Sequence, residues 1–153
     1  MKLLSYHENG IYIVWGVDEK QDLRLLHVSS LPFQKEDIKV ESMDYGFRFV
    51  ELQLSGFDRP YERHGNKYIV TAPGYRMKYV SHSESRNENG LQLLFVLRDD
   101  LTDVYVDAYV QFYDGLAIVR MWQVIRNEGT ETQTVEYISG FNYEGIEKEG
   151  LAP

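Results

Sequence analysis

Asp99, Asp100 and Asp114 are the residues whose chemistry is easiest to name. Two carboxyl groups facing each other across a sugar ring would give glycoside hydrolysis, one as acid and the other as nucleophile or base. Asp99-Asp100 closes an apolar run and Asp114 opens an Asp-Gly pair, so each reads first as a solvated turn carboxylate. His7, His27, His64 and His82 are widely spaced, with no HxH or HxxxH pair, so no zinc set is spelled out. Neither Gly-rich phosphate-loop pattern is present, and no Gly-x-Ser-x-Gly elbow holds a nucleophile.

Aromatic and cationic groups are more plentiful. Trp15, Trp122 and the tyrosines of residues 105–113 offer flat faces on which a pyranose could stack. The same residues serve ordinary sheet packing, which is the commoner use. Arg48, Arg59, Arg63, Arg76, Arg86, Arg120 and Arg126 stand out in an acidic chain. Arg120 shares strand parity with Leu116, Ile118, Trp122 and Val124, so it pairs with a carboxylate, covers Trp122 or meets another domain. The pattern leaves all three open.

The elements that must position these groups are strands. In "VYVDAYVQFY", Val104, Val106, Ala108, Val110 and Phe112 share one face and Tyr105, Asp107, Tyr109, Gln111 and Tyr113 the other. Asp114-Gly115 then predicts a tight hairpin. "LAIVRMWQVIRN" is apolar on both faces, which predicts an inner strand covered on both sides. "GIYIVWGV", "LRLLHVSSL", "FRFVELQLSG", "YRMKYVSHSES", "LQLLFVLRDD" and "TQTVEYISGF" complete roughly eight strands, the number expected of an all-β antiparallel sandwich or barrel. One short helical turn is expected after Pro32. Residues 58–74 read as a long polar loop, of the kind that carries function or packs against another body.

Composition narrows the partners. The 153 residues carry a formal net charge of −8, which argues against a nucleic acid or an anionic membrane surface. The absence of cysteine removes disulfides and thiolate metal sites and fits a cytoplasmic protein. No apolar run suits a secretion signal or a membrane span. Neither a cofactor nor a metal is expected.

Three stretches, in order, carry a resemblance: "YIVWGVDEKQDLRLLHV", residues 50–90, and "VQFYDGLAIVRMWQVIRNEGTETQTVEYISGF". Its more specific elements are Gly56, Asp58, Arg59, Gly65 and Lys67, the segment "MKYVSH" and the segment "QFYDG". Together they resemble the N-terminal β-sandwich region of glycoside hydrolase family 36 α-galactosidases. The resemblance implies a supersandwich-like fold, here an incomplete part of a larger sandwich, with residues 1–143 as the sandwich and 144–153 as a linker or tail. It also implies a parent enzyme that removes terminal α-galactosyl groups with retention, using aspartates on a (β/α)₈ barrel. Such a barrel takes about 250 residues, and neither "KWD" nor "WDD" occurs in this chain. No catalytic residue is therefore assigned here, and the chain alone is expected to be inactive. The partners implied are the barrel, an α-galactoside and further copies in a homo-oligomer. Asp58, Arg59, Tyr61, Arg63, His64, Lys67 and Trp122 are the candidate contacts to sugar or to a neighbouring domain. A free-standing carbohydrate-binding module or a protein-interaction domain is the rival reading.

Overall fold

The computed structural model describes residues 1–34, 36, 46–59 and 69–143. Among the described residues nine strands follow in chain order: β1 (Lys2–Glu8), β2 (Ile11–Val17), β3 (Leu23–Ser29), β4 (Leu52–Leu54), β5 (Lys78–Asn87), β6 (Gly90–Asp99), β7 (Val104–Tyr113), β8 (Leu116–Asn127) and β9 (Val135–Ile138). Every pairing is antiparallel. A three-stranded sheet runs β1-β2-β3, a four-stranded sheet β5-β6-β7-β8, and β4 pairs with β9. A 3-10 turn at Gly74–Arg76 leads into β5.

The two larger sheets face each other across one core. Trp15 of β2 lies at its centre, fully buried, with its ring 4.8 Å from Phe95 of β6 and 5.6 Å from Phe49. The alternation in β7 is borne out: Val104, Val106, Ala108, Val110 and Phe112 are all fully buried. β6 behaves in the same way through Leu91, Leu93, Phe95 and Leu97. Burying large side chains of this kind contributes roughly 1.5–3 kcal/mol each relative to leaving them in water. The all-β antiparallel sandwich follows from these period-2 faces, since each sheet has one apolar side to hide.

Turn chemistry ties the hairpins together. Asp114-Gly115 closes β7 onto β8, with Gly115 at φ +76°. Asn9 and Gly10, at φ +50° and +83°, close β1 onto β2. The Asn9 side chain accepts from the Gly115 N–H at 2.9 Å and donates to the Tyr113 carbonyl at 3.0 Å, which pins one hairpin tip to the other.

Three expectations need correction. β8 is not an inner strand: it has β7 on one side and, among the described residues, no strand on the other. Its Leu116, Ile118 and Val124 are exposed by 54%, 53% and 43%. "FRFVELQLSG" is a continuous strand only over Leu52–Leu54; upstream, Arg48 makes an isolated antiparallel bridge to Arg24, and Phe47 takes a left-handed φ of +62°. β1 was not among the expected strands; only Leu4 is buried along its length, so its alternation is weak. The helical turn expected after Pro32 falls largely outside the described residues, as does the tail at 144–153.

Candidate functional site

The solvent side of the four-stranded sheet carries Tyr105, Tyr109 and Trp122 together with Arg98, Arg120 and Arg126. Antiparallel register sets Ser83, Leu94, Tyr109 and Trp122 in one row across β5, β6, β7 and β8. The Tyr109 and Trp122 rings lie parallel, 5.0 Å apart and 3° from coplanar orientation. The Arg120 guanidinium sits 5.3 Å from the Trp122 centroid. Of the three roles open to Arg120, covering Trp122 is the one observed. Ser81, Val96, Asp107 and Val124 form the next row.

The far end of this face is ionic. Tyr105 lies between Arg98 and Arg126, whose guanidinium carbons are 5.6 and 4.9 Å from its ring centre. Arg126 grips Asp107 through Nε at 2.6 Å and Nη2 at 3.0 Å, and reaches Glu128 at 2.5 Å. The hydrogen bond to Asp107 raises the Arg126 pKa further above its ordinary value, and that to Asp103 does the same for Arg98. The face is thus a half-buried aromatic and aliphatic strip bounded by permanently charged guanidinium groups.

Of the loop candidates, Asp58 and Arg59 lie among the described residues. Asp58 is exposed, and Arg59 donates from Nε to Gln53 Oε1 at 3.2 Å. Gln53 in turn accepts from the Ala72 N–H and donates to the Leu54 and Phe57 carbonyls, so it anchors the base of this loop to β4. Tyr61, Arg63, His64 and Lys67 lie outside the described residues. Among the described residues, the ring and cation contacts of Trp122 are with Tyr109 and Arg120.

The acids considered for hydrolysis are engaged elsewhere. Asp99 is buried rather than solvated: Arg76 holds it by two bonds of 2.6 and 2.8 Å, and Thr102 donates at 2.6 Å. Asp100 and Asp114 are exposed and ion-paired with Arg98 and Arg86. His7 stacks on Tyr12, His27 meets the Leu31 carbonyl through Nε2 at 2.7 Å, and His82 meets the Tyr79 hydroxyl through Nδ1 at 2.6 Å. Among the described residues no three His, Asp or Glu side chains are grouped to hold a metal.

Two buried polar centres were not legible as such. Asp22, 2% exposed at the entry to β3, accepts from Lys78 Nζ at 2.8 Å, Arg48 Nη2 at 2.9 Å and Arg24 Nη2 at 3.3 Å. Arg24 also holds Asp18 through Nε and Nη2. Burial acts to raise the Asp18 carboxyl, but the Asp22 N–H and the Arg24 guanidinium outweigh it and hold it low. The second centre is Glu51, which accepts from the Val70 N–H, the Thr71 N–H and the Thr71 hydroxyl. Burial nevertheless keeps its pKa above the ordinary value, these donors opposing the shift. The sequence signal for the first centre was the Asp22-Leu23-Arg24 alternation bounding an apolar run; Glu51 had none beyond its place among buried apolar neighbours.

No known family's sequence profile matches the chain, and no curated protein matches it. Solved structures do. The family 36 α-galactosidase AgaA from Geobacillus stearothermophilus superposes with a TM-score of 0.58 at 11% identity, over 85% of this chain and 23% of that one. A variant of that enzyme in complex with raffinose gives 0.55 at 13% identity over 84% and 22%. Another variant, in complex with 1-deoxygalactonojirimycin, gives 0.55 at 12% identity over 85% and 23%. The chain shares its fold with part of a family 36 α-galactosidase. It spans less than a quarter of that enzyme's length. Among the described residues no helix is long and apolar enough to cross a membrane.

Proposed function

We propose that the chain is a non-catalytic β-sandwich region of an α-galactosidase-like glycoside hydrolase, supporting a catalytic barrel and contacts between subunits. The observation that carries this reading is the fold shared over 85% of this chain with only 23% of AgaA. The ion-paired state of Asp99, Asp100 and Asp114 supports it, because a glycosidase pair must face substrate rather than arginines. In this reading the parent enzyme hydrolyses terminal α-galactosides with retention in the cytoplasm. The loop bearing Asp58, Arg59, Tyr61, Arg63, His64 and Lys67 meets the barrel or a neighbouring subunit. Incubating the purified 153-residue chain with p-nitrophenyl α-galactoside should release no nitrophenol above the buffer blank. Sustained turnover by this chain would overturn the proposal.

The parallel Tyr109–Trp122 pair on an open sheet face favours one second reading, a carbohydrate-binding module. Titration with galactose, melibiose and raffinose, followed by tryptophan fluorescence, separates the two. Saturable quenching below millimolar sugar supports the module; a flat response removes it.

A further inference from the structure

The segment that leads toward β5 is held by side chains where the long strands are held by backbone pairing. Glu51, just before β4, and Gln53, within it, share one side of the chain by strand parity. Together they accept three consecutive N–H groups of the neighbouring segment. Val70 donates to Glu51 Oε1 at 3.1 Å, Thr71 to Glu51 Oε2 at 2.9 Å and Ala72 to Gln53 Oε1 at 2.9 Å. The Thr71 hydroxyl donates to the same Glu51 oxygen. Backbone contact with β4 is brief: the Leu54 N–H donates to the Ala72 carbonyl at 2.9 Å, and Gln53 forms an isolated bridge with Pro73.

This segment is also strained and lightly packed. Val70 sits at φ +54°, a left-handed conformation that costs a β-branched residue dearly and glycine almost nothing. There the adjacent N–H groups of Val70 and Thr71 converge on the Glu51 carboxylate, as successive amides do around an anion. Thr71, Ala72, Pro73 and Gly74 are buried but small, and Ile69 is 53% exposed. Little apolar surface therefore holds the segment down. Few apolar contacts, strain and a short ladder mark a region that opens at less cost than the whole fold.

We infer that residues 69–74 form a strap, latched to β4 by Glu51 and Gln53, that opens as a unit while the two larger sheets stay folded. Gln53 keeps its bonds to the Leu54 and Phe57 carbonyls when the strap leaves. The strap ends the 58–74 loop, so its state sets how that loop leaves the sandwich. This device stands independently of the function proposed above.

The latch has a pH dependence of known sign. Among the described residues the charged group acting on Glu51 is Arg48, from the segment before β4; Thr71 and Gly74 of the strap and Ser139 after β9 are neutral. Burial raises the Glu51 pKa, and Thr71, Val70 and Arg48 oppose the shift without cancelling it. The closed strap therefore favours the protonated acid more than a Glu51 released to water does. Its hold is fullest below the ordinary 4.5 and weakens as pH rises through the raised value.

Native-state amide exchange on the full chain tests this, read as protection factors so that the intrinsic pH dependence of exchange is removed. The amides of Val70, Thr71 and Ala72 are expected to share one opening, with protection at least about tenfold below that of Val106 and Val110 in β7. Their protection should fall from about pH 4 to about pH 7, while β7 stays flat, and Glu51→Gln should abolish that fall. Val70→Gly relieves the strain and is expected to raise protection at Thr71 and Ala72 at least about threefold, a gain that loss of an ordinary packing residue would not give. Protection at residues 70–72 equal to that of β7 would overturn the strap. So would weaker protection in Val70→Gly, or the same pH response with and without the Glu51 carboxylate. Should Glu51→Gln fail to fold, Val70→Gly and the comparison with β7 still decide.

Discussion

Replacing Asp22 by asparagine keeps the size of the side chain and one acceptor oxygen but removes the charge on which three cations converge. Arg24 and Arg48 are almost fully buried, and their side chains expose 4% and 7% of their surface. Lys78 exposes 36% and regains water when its partner goes, so it adds little. Arg24 keeps Asp18 and the Gly46 carbonyl. Arg48 is the weak point: among the described residues its buried Nε has no hydrogen-bond partner, and without the Asp22 charge its Nη2 loses its ionic acceptor. Breaking a buried pair from one side costs about 3–5 kcal/mol, because the remaining charge stays desolvated. For a chain of this size that corresponds to a fall in Tm of about 6–20 °C. Urea unfolding followed by tryptophan fluorescence measures the cost directly. The double variant Asp22→Asn with Arg48→Met should recover at least about 1 kcal/mol of the loss, since it removes the stranded cation along with its partner. A cost for Asp22→Asn below about 1 kcal/mol, or no recovery in the double variant, would refute the idea that this carboxylate neutralises a buried cationic cluster.

Two further perturbations test the Glu51 centre. Its folded pKa lies above the ordinary 4.5, so the unfolded chain releases the proton first. Stability due to this group is therefore greatest below about 4.5 and is lost as pH rises through the raised folded value. In Glu51→Gln that slope should disappear, at a cost of about 1–3 kcal/mol because the new amide nitrogen must face the Val70 or Thr71 N–H. Parallel stability–pH curves for the two proteins would dismiss Glu51 as the source. Gly74→Ala would set a Cβ 2.2 Å from Thr71 Oγ1, 2.7 Å from the Leu52 nitrogen and 2.9 Å from Glu51 Oε2. Two of these neighbours belong to the same hydrogen-bonded centre and the third is backbone, so the variant should lose about 1–3 kcal/mol in thermal or urea unfolding. Wild-type stability in Gly74→Ala would mean that this corner yields more easily than its packing indicates.

The sandwich was readable where a strand hides one face and wets the other. In β7 the inward set from Val104 to Phe112 announces both the conformation and the buried side, and Asp114-Gly115 announces the turn that follows. β1 carried too little contrast, with Leu4 alone buried, although its Asn9-Gly10 turn was a usable sign of a hairpin. The aromatic candidates were partly readable as well. Trp122 and Tyr109 fall on one face by parity, but only the register of β7 against β8 stacks them.

The sequence by itself determined which side of β7 meets the core, because that depends on alternation within one segment. It also settled that cysteine chemistry plays no part. Sheet order, charge convergence and edge position were decided only in the tertiary structure. Asp22, Arg24, Arg48 and Lys78 are spread over 57 positions and meet around one carboxylate only after β3 and β5 are brought together. β8 reads as an inner strand and stands at an edge, because alternation specifies a strand's faces while its neighbours are set by contacts distant in sequence.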